Sequence, residues 1–186
     1  MRIYLDNSPH KIAVKSCEYD YDFGQFRTPL TKYAIAEGTQ WVLDNGAYSG
    51  FDRESFIRMQ TVALDDDDCE WIVIPDRVGD HDETLRLFDE WMKEFDIPAH
   101  KAAFVAQNGC SQSLVPWEDI GCLFIGGTNE FKDSVVPSIS QLKQQTGESG
   151  FTLDGSTLRF GCYIGFICVI QSTVLGFQNI ATCLNV

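Results

Sequence analysis

The sequence has no apolar run near the roughly 18 residues that a membrane-spanning helix needs. Its longest, Cys162 to Ile170, is nine residues and fits a buried strand. The first residues, Met-Arg-Ile-Tyr-Leu-Asp-Asn, hold no apolar signal-peptide core, so the expectation is a cytoplasmic protein with no membrane partner. Basic residues are scarce. Fourteen Lys and Arg stand against 27 Asp and Glu, a net charge of −13. Proteins that coat DNA or RNA show a basic face, so nucleic acid is a disfavoured partner here. The seven cysteines (17, 69, 110, 122, 162, 168 and 183) include no C-x-x-C pair, and their number is odd. That argues against a disulfide framework and against structural zinc, and for buried free thiols in a reducing compartment. His10, His81 and His100 share no metal or triad spacing, and His81 is expected at the surface. Phosphate-cradling glycine motifs are missing, as is the calcium-loop pattern at the acidic run Asp65–Asp68, which reads as a solvated loop or helix end. No metal and no cofactor is expected.

What remains is an ordinary globular composition. The 186 residues are 44% hydrophobic and 22% charged, which suits a single domain over residues 1–186. Short apolar runs end in polar or glycine-bearing turns: Trp41-Val-Leu-Asp44-Asn-Gly, Trp71-Ile-Val-Ile-Pro-Asp76, Ala102-Ala-Phe-Val-Ala-Gln107 and Cys122-Leu-Phe-Ile-Gly-Gly127. Runs that are apolar on both faces suit parallel strands buried on both sides. Helical patterns lie between them, at Arg53–Leu64, Glu83–Phe95 and Val135–Gln145, and Asp80 with Glu83 fits a capping box. The steps from Asp44 to Asp76 and from Asp76 to Gln107 are 32 and 31 residues, about one βα unit each. Arg2–Leu5, Gly150–Leu153 and Phe166–Ile170 read as further strands, with a helix around Ser156–Tyr163. The fold class expected is α/β with parallel strands, either an open sheet or a compact, incomplete TIM-barrel-like fold, since a complete barrel usually needs about 250 residues.

In such folds function sits at the carboxyl ends of the strands. Asp44, Asn45, Asp76, Arg77, Asp80, Gln107, Asn108, Gly126, Gly127, Thr128, Asn129 and Glu130 stand there. Carboxylates and amides match the donor and acceptor edge of a purine. Taken one at a time, each of these residues also has a structural reading as a turn, a cap or a loop amide. Asp80 is read as structural. Tyr48 is the one aromatic read as a stacking candidate, while Phe51, Trp71, Trp91, Phe104 and Trp117 are read as core.

Five segments then carry a resemblance: Leu43-Asp-Asn-Gly-Ala-Tyr-Ser-Gly-Phe51, Ile74-Pro-Asp-Arg-Val-Gly-Asp80, Phe104-Val-Ala-Gln-Asn-Gly109, Val115-Pro-Trp-Glu-Asp119 and Phe124-Ile-Gly-Gly-Thr-Asn-Glu-Phe-Lys132. In order and spacing they resemble the tRNA-guanine transglycosylase superfamily, and most of all its short phage and mobile-element relatives that place 7-deazaguanines in DNA. The resemblance implies a TIM-barrel-like fold with a base pocket, Asp44 in proton transfer, Asp76 on the purine edge, and Gln107, Gly126 and Gly127 against the base. It implies base exchange through a nucleophilic aspartate. At the matching stretch, Gly165-Phe-Ile-Cys-Val-Ile-Gln-Ser-Thr173, both aspartate positions are isoleucine, Ile167 and Ile170, and only Asp154 stands nearby. Isoleucine is no nucleophile. The family's cysteine cluster for zinc is absent.

Three readings follow. The first is a transglycosylase-like protein that holds a purine or 7-deazapurine base, nucleoside or nucleotide without full catalysis, sequestering or sensing it. Its candidate ligand-binding residues are Asp44, Asn45, Tyr48, Asp76, Gln107, Gly126, Gly127 and Glu130. The second is an active pentosyltransferase on DNA or tRNA, with Asp44 catalytic. The third is an acidic interaction module. Homo-oligomerisation is expected to cover an open barrel edge.

Overall fold

The computed structural model describes residues 2–20, 22–135, 151–153, 156–163 and 167–173, the last three segments as backbone only. In chain order come β1 (Arg2–Leu5), α1 (Pro9–Glu18), β2 (Asp22–Arg27), β3 (Trp41–Leu43), α2 (Arg53–Asp65), β4 (Cys69–Val73), α3 (His81–Phe95), β5 (Ala102–Ala106) and β6 (Cys122–Ile125). A helical segment over 129–135 follows. The six strands pair in sequence order, all parallel, and curl into a half-barrel. The expected α/β class and incomplete barrel are therefore present.

The helices form where sequence signals agree. Asp52 caps α2 by accepting from the Ser55 N–H at 3.1 Å, and Asp80 caps α3 by accepting from the Glu83 N–H at 3.1 Å. Glu83 does not return the bond expected of a capping box, because its carboxylate pairs with Arg86 at 2.6 Å. The acidic run after α2 is less solvated than expected. Asp66 accepts from the Trp41 indole N–H at 2.9 Å, and Asp68 accepts from the Gln40 amide at 2.8 Å. The Lys101 ammonium donates to the carbonyls of Ala63, Leu64 and Asp66 at the end of α2.

Two cores lie on the two faces of the sheet. The outer one joins Leu43, Ile72, Ile74, Phe104 and Ile125 to the helix residues Phe56, Ala63, Phe88 and Trp91. The inner one fills the barrel with Tyr4, Phe26, Val42, Trp71, Val73, Ala103, Val105, Cys122 and Phe124 and includes no helix residue. Burying one such large apolar side chain contributes about 1.5–3 kcal/mol. At the floor, Arg2 of β1 makes an ion pair with Glu70 of β4. Those strands are not sheet neighbours, so the pair crosses the interior.

The sequence reading missed β2. Its residues, Asp-Phe-Gly-Gln-Phe-Arg, look polar. Gly24 lies under the Tyr4 ring, where a Cβ would come within 2.5 Å of ring carbons, and Phe26 joins the inner core. On the outer face Gln25 and Arg27 peg the helix-free stretch 28–40, Gln25 donating to the Asn7 and Ala34 carbonyls and Arg27 to that of Tyr33. A hydrogen-bonded loop replaces a helix there.

Further strands are β7 (Phe151–Leu153), β8 (Ser156–Tyr163) and β9 (Ile167–Thr173). The helix expected around Ser156–Tyr163 is thus corrected to a strand. Its Ser-Thr-Leu-Arg-Phe-Gly-Cys-Tyr alternates apolar residues two apart and carries aromatic and β-branched residues, which suits extended backbone. β9 runs antiparallel to β6 and β8, and β8 runs parallel to β1 with Ile3 opposite Cys162. Among the described residues, β9 and β8, paired antiparallel to each other, join β6 to β1. The expected helix Val135–Gln145 lies outside the described residues beyond 135. Of the four cysteines whose side chains are described, Cys69 and Cys122 are buried as expected, but Cys17 is exposed and Cys110 half-buried; all four are free thiols. Among the described residues no helix is long and apolar enough to cross a membrane.

Candidate functional site

The inner face of each strand continues into the barrel mouth. Side chains alternate along a strand, so the inward phase of Val42, Val105 and Phe124 passes to Asp44, Gln107 and Gly126. Three of the sequence-selected residues therefore reach the mouth by simple period-two counting. Asp76 follows Pro75 one residue out of that phase, and it is drawn in by hydrogen bonds.

Those bonds define the site. The Asn45 amide donates to Asp76 Oδ1 at 2.8 Å and to the Ile74 carbonyl at 2.9 Å. The Gln107 amide donates to Asp76 Oδ2 at 2.6 Å. Each amide oxygen is fixed in turn, Asn45 Oδ1 by the Ala47 N–H at 2.7 Å and Gln107 Oε1 by the Gly79 N–H at 2.8 Å. Asn45 and Gln107 are both buried. A carboxylate has about four acceptor positions, and the two amides together with Asp76's own backbone N–H engage three of them. Burial raises the Asp76 carboxyl above its ordinary value, and the two amides oppose that rise by bonding the charged form.

Asp44 is the neighbour that differs. Burial pushes its carboxyl up to about 7, the Gly46 N–H bond at 3.0 Å opposes the rise, and the nearby Asp76 charge adds to it. The two carboxyls thus differ in their partners: Asp76 is bonded by two side-chain amides that favour its charged form, and Asp44 by backbone N–H groups alone.

Glycines shape the space. A Cβ on Gly126 would lie 2.7 Å from Gln107 Nε2 and 2.8 Å from Val105 Cγ1, so only glycine leaves the Gln107 amide its place. Gly127 adopts φ +79, and a Cβ there would meet Asn108 Oδ1 at 2.5 Å. Asn108 in turn accepts from the Thr128 N–H at 2.9 Å, tying the β5 and β6 ends together.

Other expected site residues stand apart from this cluster. Tyr48 sits on a turn just after Asn45 but is 91% exposed. Glu130 is exposed on the first turn of the 129–135 segment, where its own N–H and Thr128 hold its carboxyl below the usual range. Arg77 is exposed beside Asp76. His81 overturns its surface expectation. It is 4% exposed, edge-on to Phe104 at 6.1 Å, because the first turn of α3 packs down on β5. Asp154 lies outside the described residues, and Ile167 and Ile170 lie in β9.

Sequence reasoning missed Thr84, buried in α3. Its hydroxyl accepts from the Arg77 N–H at 3.0 Å and donates to the Asp80 carbonyl at 2.7 Å. A polar residue four positions after the Asp80 cap, on the apolar face of α3, was the available signal. Among the described residues no group of three or more His, Cys, Asp or Glu is placed to hold a metal ion. No family model, curated protein or solved structure matches the chain.

Proposed function

We propose that the chain binds a purine or 7-deazapurine base, free or within a nucleoside or nucleotide, at the carboxyl ends of its parallel strands. The single observation behind this is Asp76 held by two amides beside an Asp44 whose carboxyl burial pushes up to about 7. In this reading the Asp76 carboxylate accepts from the N–H donors of the base, as on the guanine N1 and N2 edge. Protonated Asp44 offers the complementary O–H to a ring or carbonyl acceptor. The reading is transglycosylase-like and TIM-barrel-like in layout, in a protein that works in the cytoplasm. Binding without base exchange is proposed because isoleucine stands at both positions that the resemblance gives to the nucleophile.

The test is native mass spectrometry with guanine, 7-deazaguanine, guanosine and GMP, and afterwards with DNA and tRNA. A 1:1 noncovalent complex that Asp76→Ala loses is expected. Full binding by Asp76→Ala would remove the proposed site. A second reading, base exchange, draws on the Asp44 carboxyl near 7, a value suited to general acid and base work at neutral pH. A covalent sugar adduct or an exchanged base would establish it in place of the first.

A further inference from the structure

An amide such as Gln107 has two orientations of nearly equal shape. Only one presents its NH2 to Asp76; the other sets an oxygen against a carboxylate. The Gly79 N–H, 2.8 Å from Gln107 Oε1, chooses between them. Gly79 takes φ +80 on the loop between β4 and α3. That loop is folded by Thr84. Its hydroxyl receives the Arg77 N–H at 3.0 Å and bonds the Asp80 carbonyl at 2.7 Å, while the Asp80 N–H closes a turn on the Arg77 carbonyl at 3.0 Å. The next residue after the cap, His81, sends its N–H to the Asn108 carbonyl at 3.2 Å, fastening α3 to the chain just past Gln107.

We infer that Thr84 is a positioning residue: through Gly79 it fixes the orientation of the Gln107 amide and thereby the Asp76 carboxylate. It touches neither the ligand nor Asp76. At 1% exposed, it is buried with its hydroxyl satisfied on both sides, and no other side-chain bond in the described residues folds residues 77–80 onto α3 except the Asp80 cap. This inference rests on the base-binding reading for its purpose, but its geometry stands without a ligand.

The experiment compares Thr84→Val with Thr84→Ser in the ligand-free full chain by NMR. Valine keeps the volume and loses the hydroxyl; serine keeps the hydroxyl. The charged groups around Asp76 are Asp44 after β3 and Arg77 and Asp80 on the adjoining loop, and none of them is altered. Losing the Gln107 donor removes a bond to the charged form of Asp76, so its carboxyl titration moves upward. A rise in that midpoint by half a unit or more in Thr84→Val, restored in Thr84→Ser, is expected. An unchanged Asp76 titration in Thr84→Val would overturn the inference. If Thr84→Val does not fold, the wild type decides. A single, slowly exchanging Gln107 side-chain amide supports the brace, and a fast-exchanging one defeats it. Guanine binding is then measured on the wild type. Its absence there would sink the base-binding reading and leave the positioning result standing.

Discussion

Asp44 concentrates the chemistry at the scale of single residues. Its ordinary carboxyl value of 3.8 rises to about 7 in the fold. A raised acid binds its proton more tightly when folded than when unfolded. Stability from this group is therefore full below about pH 4 and falls as pH climbs through 7. The loss has a ceiling of about 4 kcal/mol at pH 8. Asp44→Asn, neutral at every pH, is expected to flatten that slope and to melt higher than the wild type at pH 8, as followed by thermal denaturation. Parallel pH profiles for the two proteins would contradict the raised value. Gly126→Ala tests the space beside Gln107. The added methyl displaces the amide or strains β6, so a loss of about 1–3 kcal/mol in chemical denaturation is expected, with weakened guanine binding. Asp44, Asp76 and Gly126 were all visible in the sequence as strand-end positions. What was not visible was the difference between the two carboxyls: Asp76 receives the Asn45 and Gln107 amides and Asp44 only backbone N–H groups, and that depends on which strand end supplies each amide.

At the scale of elements, the strands and helices from Trp41 to Ile125 were legible because their patterns are strong. Continuous apolar runs gave β3 to β6, and caps at Asp52 and Asp80 opened α2 and α3. The elements missed had mixed patterns. In β2 the outward Gln25 and Arg27 bond a loop in place of packing against a helix, so polarity hid a strand. Around Ser156–Tyr163 the reading assumed βα alternation would continue, where the chain turns to antiparallel pairing. The end of α2 carries a prediction of its own. It has no glycine cap, and the Lys101 ammonium serves three of its last carbonyls at 2.9, 3.3 and 2.9 Å. Lys101→Met keeps the aliphatic stem and removes the charge. A destabilisation of about 1–3 kcal/mol is expected in urea denaturation, and none at all would show the contact to be incidental.

For the whole molecule, six parallel strands give one inner surface whose last layer is polar and whose floor is closed by Arg2 and Glu70. A packed barrel below and a polar mouth above are the layout on which the proposed ligand site rests. The net charge of −13 fits a small, donor-bearing ligand better than a polyanion. Discrimination follows from the same layout. In the proposed mode guanine and 7-deazaguanine would present adjacent N–H donors to Asp76, whereas adenine would present a ring acceptor in place of one of those donors. The most direct measurement is calorimetric titration of the wild type with guanine and with adenine, at pH 6 and pH 8. Guanine is expected to bind 1:1, more weakly at pH 8 as Asp44 loses its proton, and adenine at least about tenfold more weakly, the effect of one unmade bond to a charged group. Equal affinity for the two bases, or no saturable heat with guanine at either pH, would contradict it.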